Sequence, residues 1–392
     1  MKRSIKLAVA AAVALSTTSA FATNGDHLIG LGAKARGMGG IGIGMSHGAE
    51  SSLANPAMIT SVEGTEVSFG GTIFMPDVEY NGVKSDADLS VIPEVAIASK
   101  GSDNFYWGVG MFGTAGMGVD YRKDTTAASM DMVTNLQLMQ FAVPLAFKSN
   151  GFSIGVAPVL QYGALDINYI HPMDGSTVGA GVAQDLGFGY NIGVGFEMNG
   201  LTLGASYKSS IDMEYDGQLS SATTPFAAMS VFPAPMPDDL EQPAEMGVGA
   251  SYTMQGHTLA VDYKRIKWSD AKGYKDFGWD DQDVFMVGYQ YAQDNWALRA
   301  GFNHGSSPIS EQAFGSTGAG AAMNMFNLLG FPATVQNHYT IGGSYAFSRV
   351  VSADLAYTHA AEEEDSYANV LGGTSTVKHS QNGVSMQLNF NF

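Results

Sequence analysis

The last nine residues constrain the fold most tightly. Val384, Met386, Leu388, Phe390 and Phe392 alternate with Ser385, Gln387, Asn389 and Asn391, an apolar series against an uncharged polar one. Successive side chains of a strand point to opposite faces, so this period of two predicts a strand with one greasy face and one polar face. Such a strand fits either the edge of a sandwich or the wall of a membrane barrel.

The other end of the chain bears on that choice. Lys2, Arg3 and Lys6 form a basic region, Leu7 to Leu15 is an apolar stretch, and Ala20-Phe21-Ala22 offers a small-x-small pattern. Together they read as an export leader over residues 1–22, cleaved after Ala22 to leave Thr23 first. The apolar stretch is shorter than the roughly 20 residues that a spanning helix needs, and no later segment qualifies. Only helices and closed barrels satisfy their backbone inside a bilayer, so in a membrane this chain must form a barrel. A final aromatic on an alternating strand resembles the assembly signal of bacterial outer-membrane barrels. Losing the three leader cations from 19 Lys+Arg, against 37 Asp+Glu, moves the net charge from −18 to −21. That balance disfavours nucleic acid, which needs a basic footprint. With no cysteine, the chain does not rely on disulfides.

Similar segments recur upstream. Leu201, Leu203, Ala205 and Tyr207 alternate with Thr202, Gly204, Ser206 and Lys208. The same period runs through Trp296 to Asn303, Tyr339 to Ser348 and Val351 to Thr358. The spans 63–76, 87–100, 104–115, 130–148, 151–170, 182–198 and 201–216 make seven strands. The spans 240–254, 257–269, 281–292, 295–305, 337–347, 350–361 and 379–392 make seven more. Tight turns fall at Ser149-Asn150-Gly151, Asn199-Gly200, Gln255-Gly256, Asp294-Asn295 and Ser348-Arg349, with Gly101 to Asn104 slightly longer. Longer loops lie between them, near 77–86, 116–129, 171–181, 217–239, 270–280, 306–336 and 362–378. Short turns on one side and long loops on the other are the asymmetry of an outer-membrane barrel. The expected fold is therefore all-β: a 14-stranded antiparallel transmembrane β-barrel over 63–392, in the outer membrane of a Gram-negative cell.

Residues 23–62 fit no strand pattern. A disordered tail would be polar; this stretch carries Leu28, Ile29, Leu31, Met38, Ile41, Ile43 and Met45. It is expected to fold inside the barrel as an N-terminal hatch, or plug, in the lumen.

Several motifs mislead. Gly37-Met38-Gly39-Gly40-Ile41-Gly42 imitates a phosphate-binding loop but lacks the preceding strand and following helix. Asp212, Glu214, Asp216 and Gly217 imitate a calcium loop, yet Thr223 stands where a bidentate Glu is required. Glu362 to Asp365 reads as a solvated acidic run in an external loop, facing lipopolysaccharide and its divalent ions. No catalytic set, metal-ligand spacing or cofactor motif emerges, so no enzyme activity, metal or cofactor is expected. By contrast, Phe226, Met229, Phe232 and Met236 in one external loop, with Phe326 and Leu329 in another, are apolar where loops should be polar. Exposed apolar surface usually marks binding, and Met and Phe suit flexible greasy ligands. These six are the candidate ligand contacts; the bland alternative is that the loops pack on each other as a lid.

Gly32-Ala33-Lys34-Ala35-Arg36-Gly37-Met38-Gly39-Gly40 followed by Asn55-Pro56-Ala57 resembles the N-terminal hatch of the FadL/TodX family. Gly108 to Gly113, Gln242 to Gly249, Trp268-Ser269, Ser307-Pro308-Ile309 and His338 to Tyr345 are similar to its later segments, in order, across the mature chain. The resemblance implies a monomeric 14-stranded barrel carrying long-chain fatty acids or, in the TodX branch, aromatic hydrocarbons such as toluene and xylene. It implies capture at external loops and sideways release to outer-membrane lipid through a gap at an inward kink of the third strand. The hatch residues Asn55, Pro56 and Ala57 would then contact that kink. Gly110, Gly113 and Gly116 would permit it, since glycine tolerates close backbone approach. A structural barrel or adhesin without cargo, and an open polar porin, are the competing readings.

Overall fold

A computed structural model describes residues 24–125, 129–172, 174–313 and 318–392, with only the backbone at 228 and 229. The expected leader and its cleavage site lie outside the described residues. The strands are β1 Thr65–Tyr80, β2 Ser90–Lys100, β3 Phe105–Asp120, β4 Val133–Ala142 continued by Leu145–Ser149, β5 Phe152–Ile170, β6 Ala183–Met198 and β7 Leu201–Lys208. They continue as β8 Glu245–Met254, β9 His257–Ile266, β10 Gln282–Gln293, β11 Trp296–Gly305, β12 Asn337–Ala346, β13 Val351–Ala368 and β14 Thr374–Asn391. Neighbours pair antiparallel, and β1 pairs with β14 from Glu66↔Asn391 to Tyr80↔Val377. The sheet thus closes into a 14-stranded barrel.

The turns explain the register. Asn150-Gly151, Asn199-Gly200 and Gln255-Gly256 all hold both residues at positive φ, for example 50° and 86° at Asn199-Gly200. That conformation matches the twist of flanking strands and so favours a two-residue hairpin. The alternation then puts apolar side chains outward: Phe69, Ile341 and Met386 are 51%, 61% and 63% exposed. Ser68, Thr72, Thr340 and Gln387 from the same strands are buried in the interior. This inverts a soluble protein and suits a wall between lipid and lumen. Exposed Trp107, Phe147, Phe152, Tyr252 and Phe347 stand close to the tight turns, as an interfacial aromatic girdle does.

Several boundaries differ from expectation: β1 runs on to Tyr80 and β3 to Asp120, β8 starts only at Glu245, β14 starts already at Thr374, and two differences are larger. Strand β7 stops at Lys208 instead of running to 216; beyond it only isolated bridges join Ile211 to Gln242 and Glu214 to Asp239. The acidic run Glu362 to Asp365 lies on β13, not in a loop, because β13 and β14 stay paired up to Ala368↔Thr374 after a bulge between Ala360 and Glu363. Past the lipid slab neither face has to be apolar, so the alternation fades from the sequence while the backbone ladder persists.

Residues 24–62 carry a short helix, α1 Gly32–Arg36, and 3-10 turns at Gly48–Ser52 and Pro56–Ser61. They contact β12, β13, β14 and β1 on one side of the ring and β2 to β6 on the other. Met38, Ile41, Leu53 and Ile59 are fully buried there. At the long-loop end lie α2 Gln218–Thr223 and α3 Ala319–Gly330.

Candidate functional site

Residues 32–62 are bound to the wall by charge and by side-chain hydrogen bonds. Arg36 donates to Glu94 of β2 at 2.9 and 2.5 Å and to Thr72 of β1 at 2.7 Å. Lys34 stands 3.2, 3.7 and 3.8 Å from Glu50, Glu66 and Asp354. Burial opposes its charge, yet those carboxylates raise its pKa. Burial pushes Glu50 up to about 7 despite Lys34, and takes His47, whose Nε2 lies 2.7 Å from the Ile41 carbonyl, down to about 3. The amides of Gly42, Ile43 and Gly44 converge on Asp262 of β9 at 2.7 to 3.0 Å.

Asn55 caps the second 3-10 turn by accepting from the Ala57 amide at 3.1 Å. Its Nδ2 donates to the carbonyls of Ile43 and Val194, at 2.9 and 3.2 Å. A side chain at Gly155 of β5 or Gly193 of β6 would collide with Asn55, Pro56 or Ala57. The tripeptide thus sits on β5 and β6, and the Pro56–Ser61 turn that it opens also packs near β3, the strand against which the resemblance places it.

The third strand is bound by an earlier stretch. Opposite β4, β3 shifts register between Gly113 and Ala115, leaving Thr114 as a bulge. Its ladder with β2 ends at Glu94↔Phe112. Among the described residues no ladder pair joins 113–119 to β2, and contact resumes where the Asp86 amide donates to the Asp120 carbonyl at 2.8 Å. The Leu28 amide donates to the Thr114 carbonyl at 3.1 Å, and the Gly116 amide donates to the Asp26 carbonyl at 3.0 Å. Residues 26–28 therefore supply hydrogen bonds that β2 does not, as a chain inside a bilayer requires. Ile92, Phe74 and Leu28, all buried, form one small apolar cluster at this gap. Of the expected kink glycines, Gly113 lies at the register shift, Gly116 takes the Asp26 bond, and Gly110 faces Ser52.

Leu28 also borders open space in the lumen. It lines cavities of about 50, 40 and 10 Å³. The first two share Lys208, Glu245 and Lys264, from β7, β8 and β9. Glu245 lies 3.3 Å from Lys208 and 3.0 Å from Lys264, so two ammonium groups share one carboxylate. Leu31, Ile43, Met246 and Met286 give the first cavity an apolar remainder. Burial lowers the pKa of adjacent His27, against Glu245 and Asp26. The Asp26 carboxylate is engaged by Tyr274 Oη at 2.6 Å and Gln242 Nε2 at 2.9 Å. Gln242 and Glu245 fall in the segment that carries the resemblance, but nothing in the sequence marks Lys208 or Lys264 as partners of Glu245; three charges on β7, β8 and β9 meet only once the register is known.

The external candidates are brought together, as a packed core. Phe226, Phe232, Met236, Phe326 and Leu329 are all buried. Phe326 stacks on Phe277 at 5.2 Å and meets Phe226 edge-on at 6.3 Å. Asn327 accepts from Trp279 Nε1 and donates to the Phe277 carbonyl, binding the loops to one another. The Met229 side chain and Phe314 lie outside the described residues. Beneath this roof, Trp268 packs on Tyr274 and Trp279 at 4.6 and 5.0 Å and presses on Gly25.

Comparison with known proteins agrees with this architecture. Residues 7–392 match the family model described as outer membrane protein transport protein (OMPP1/FadL/TodX). A long-chain fatty acid transport protein of Escherichia coli O6:H1 is 24% identical over 78% of this chain and 82% of its own. The fold is shared with a Pseudomonas aeruginosa FadL homologue at TM-score 0.72 and 15% identity, covering 94% of this chain and 100% of that one. It is also shared with the Pseudomonas putida toluene transporter TodX, at TM-score 0.70 and 18% identity with the same coverage. The chain therefore belongs to the OMPP1/FadL/TodX family of outer-membrane transport proteins, and is a transporter of hydrophobic substrates, not an enzyme.

Proposed function

We propose that this protein carries long-chain fatty acids passively from its external loops into the bilayer through the gap between β2 and β3, with residues 23–62 as the hatch. The observation that carries the route is the missing ladder at 113–119, filled by side chains and by residues 26–28. Sideways release delivers an apolar chain to lipid without a passage through water. Burying each CH₂ along the way contributes about 0.8 kcal/mol.

The fatty-acid reading is supported by Lys208 and Lys264 around the single carboxylate of Glu245. An incoming carboxylate would gain charge-assisted hydrogen bonds there, and a monoaromatic hydrocarbon would gain none. The aromatic roof favours the second reading, a toluene- or xylene-like cargo on the same scaffold. The cavities, at about 50 and 40 Å³, hold a water or two. Ligand pockets span roughly 300–1,000 Å³. This is a closed state, and cargo enters only as residues 24–31 withdraw. In this reading Asn55, Pro56 and Ala57 hold the base of the hatch on β5 and β6 while its N-terminal end moves.

The test is uptake of labelled oleate and labelled xylene by cells lacking their own transporter, with and without this protein. Faster oleate uptake alone is expected. Faster xylene uptake alone moves the assignment to aromatic hydrocarbons, and no gain for either, with the barrel folded, rejects both.

A further inference from the structure

We propose that the buried Arg36–Glu94 ion pair is a latch that fixes the β2 edge of the gap, so that opening proceeds by movement of residues 24–31 and β3 against a stationary β2. This rests on reading the gap as the exit.

Glu94 occupies the last rung of the β2–β3 ladder, opposite Phe112. Next inward on β2 is Ile92, whose side chain fills the opening. Arg36 and Glu94 are 2% and 3% exposed. Arg36 grips both carboxylate oxygens, and its third bond reaches Thr72, which pairs with Ile92 across β1. The Thr72 hydroxyl lies 2.7 Å from that of Ser385 on β14. One guanidinium thus joins β2 to α1 and to two strands on the side away from the gap, at the height where β2 loses its other neighbour. Planar bidentate pairing restrains orientation as well as distance. Separating the pair would leave a buried charge uncompensated.

The opposite edge is held differently. From the bulge to Val119, before Ser85 and Asp86 bond Asp120, β3 is bound on its β2 side by two neutral backbone bonds to Asp26 and Leu28. Those bonds break and re-form without stranding a charge, whereas the Arg36 pair does not. The weaker edge is therefore the moving one.

The chain has no cysteine, so Ile92→Cys introduces a single thiol at the opening. Its labelling rate by N-ethylmaleimide reports how often the gap opens in a folded barrel, folding being checked by heat-modifiable gel mobility. Adding Arg36→Gln or Glu94→Gln is expected to speed labelling about tenfold, a factor within reach of one lost hydrogen bond to a charged group. Exchanging the charges, Arg36→Glu with Glu94→Arg, should recover most of the slow rate. Thr72→Val, which removes one bond and no charge, should give a smaller increase, and it decides the matter if the charge variants do not fold. Parental rates in the folded variants, or an exchange that recovers nothing, overturn the latch. Labelling needs no cargo. Changed labelling without oleate uptake therefore rejects the transport reading alone, and uptake with unchanged labelling rejects the latch alone.

Discussion

Residues 24–31 and 32–62 share one lumen but are held there by different physics. The later stretch meets the wall through Arg36 and Glu94, Lys34 among three carboxylates, three amides on Asp262, and Asn55 on Val194. The earlier one depends on two backbone bonds to β3 and on Asp26 against Tyr274 and Gln242. Both stretches leave buried polar side-chain atoms without a hydrogen-bond partner among the described residues, Asn24 in the earlier and Glu50 in the later. Leu28 lines three small cavities, two of which residues of the later stretch also line. Buried polar atoms without partners cost free energy, and small voids forfeit packing. With no Lys or Arg, the early stretch has no permanent cation to pair with the wall, and on the proposed route it is the part that moves. On the proposed route the base of the hatch would be 32–62 and the gate 24–31.

Breaking the base should have the largest effect. Lys34→Met leaves Glu50 and Asp354 without their nearest shared cation. Removing one partner of a buried pair costs about 3–5 kcal/mol. Undocking of the whole segment is expected, read as entry of hydrophilic antibiotics that the parent excludes; unchanged exclusion would remove the distinction between base and gate.

Loosening the gate comes next. Leu28→Ala enlarges the spaces that Leu28 lines, and large-to-small changes at buried sites cost about 2–5 kcal/mol. Oleate uptake should rise at unchanged exclusion of hydrophilic solutes. A fall in uptake, or leakage like that of Lys34→Met, would show that both stretches act as one body.

Acid gives the smallest effect. Burial holds His47 neutral, its pKa near 3 against an ordinary 6.5. The free chain takes up a proton first, so docking weakens as pH falls from about 6.5 to 3. Glu50, at about 7 against an ordinary 4.5, acts oppositely: docking strengthens as pH falls from about 7 to 4.5. The two oppose each other between 6.5 and 4.5, so net weakening should appear below about 4.5, seen as faster proteolysis of residues 32–62. His47→Gln should flatten that limb, and an unchanged limb would assign it elsewhere.

The barrel was legible because its rules are local. Asn199-Gly200 announces a hairpin, and the alternation at 384–392 announces a lipid face. Where the lipid face ends, the signal ends, which is why Glu362 to Asp365 read as loop although β13 continues through them. The gate was less legible. An unmade ladder leaves no mark in the sequence: Gly113 to Ala115 read as the end of a glycine-rich strand and 116–119 as the start of a loop, although β3 runs on to Asp120. Asn55 was recognisable, through the resemblance, as a hatch residue, but the strands it bonds depend on a fold path that only the assembled lumen fixes. Phe226, Phe232 and Phe326 do meet, yet the sequence does not say that they fill one another's space.

The central claim is that cargo leaves between β2 and β3. A side chain at position 113 would place its Cβ 3.7 Å from that of Ile92, within the roughly 3.5–4.5 Å that a disulfide spans. Ile92→Cys with Gly113→Cys, in a chain with no other cysteine, can therefore bolt the gap. Oleate uptake should fall to that of cells without the protein when the bond is formed, and return on reduction. Undiminished uptake with the bond formed would contradict the account.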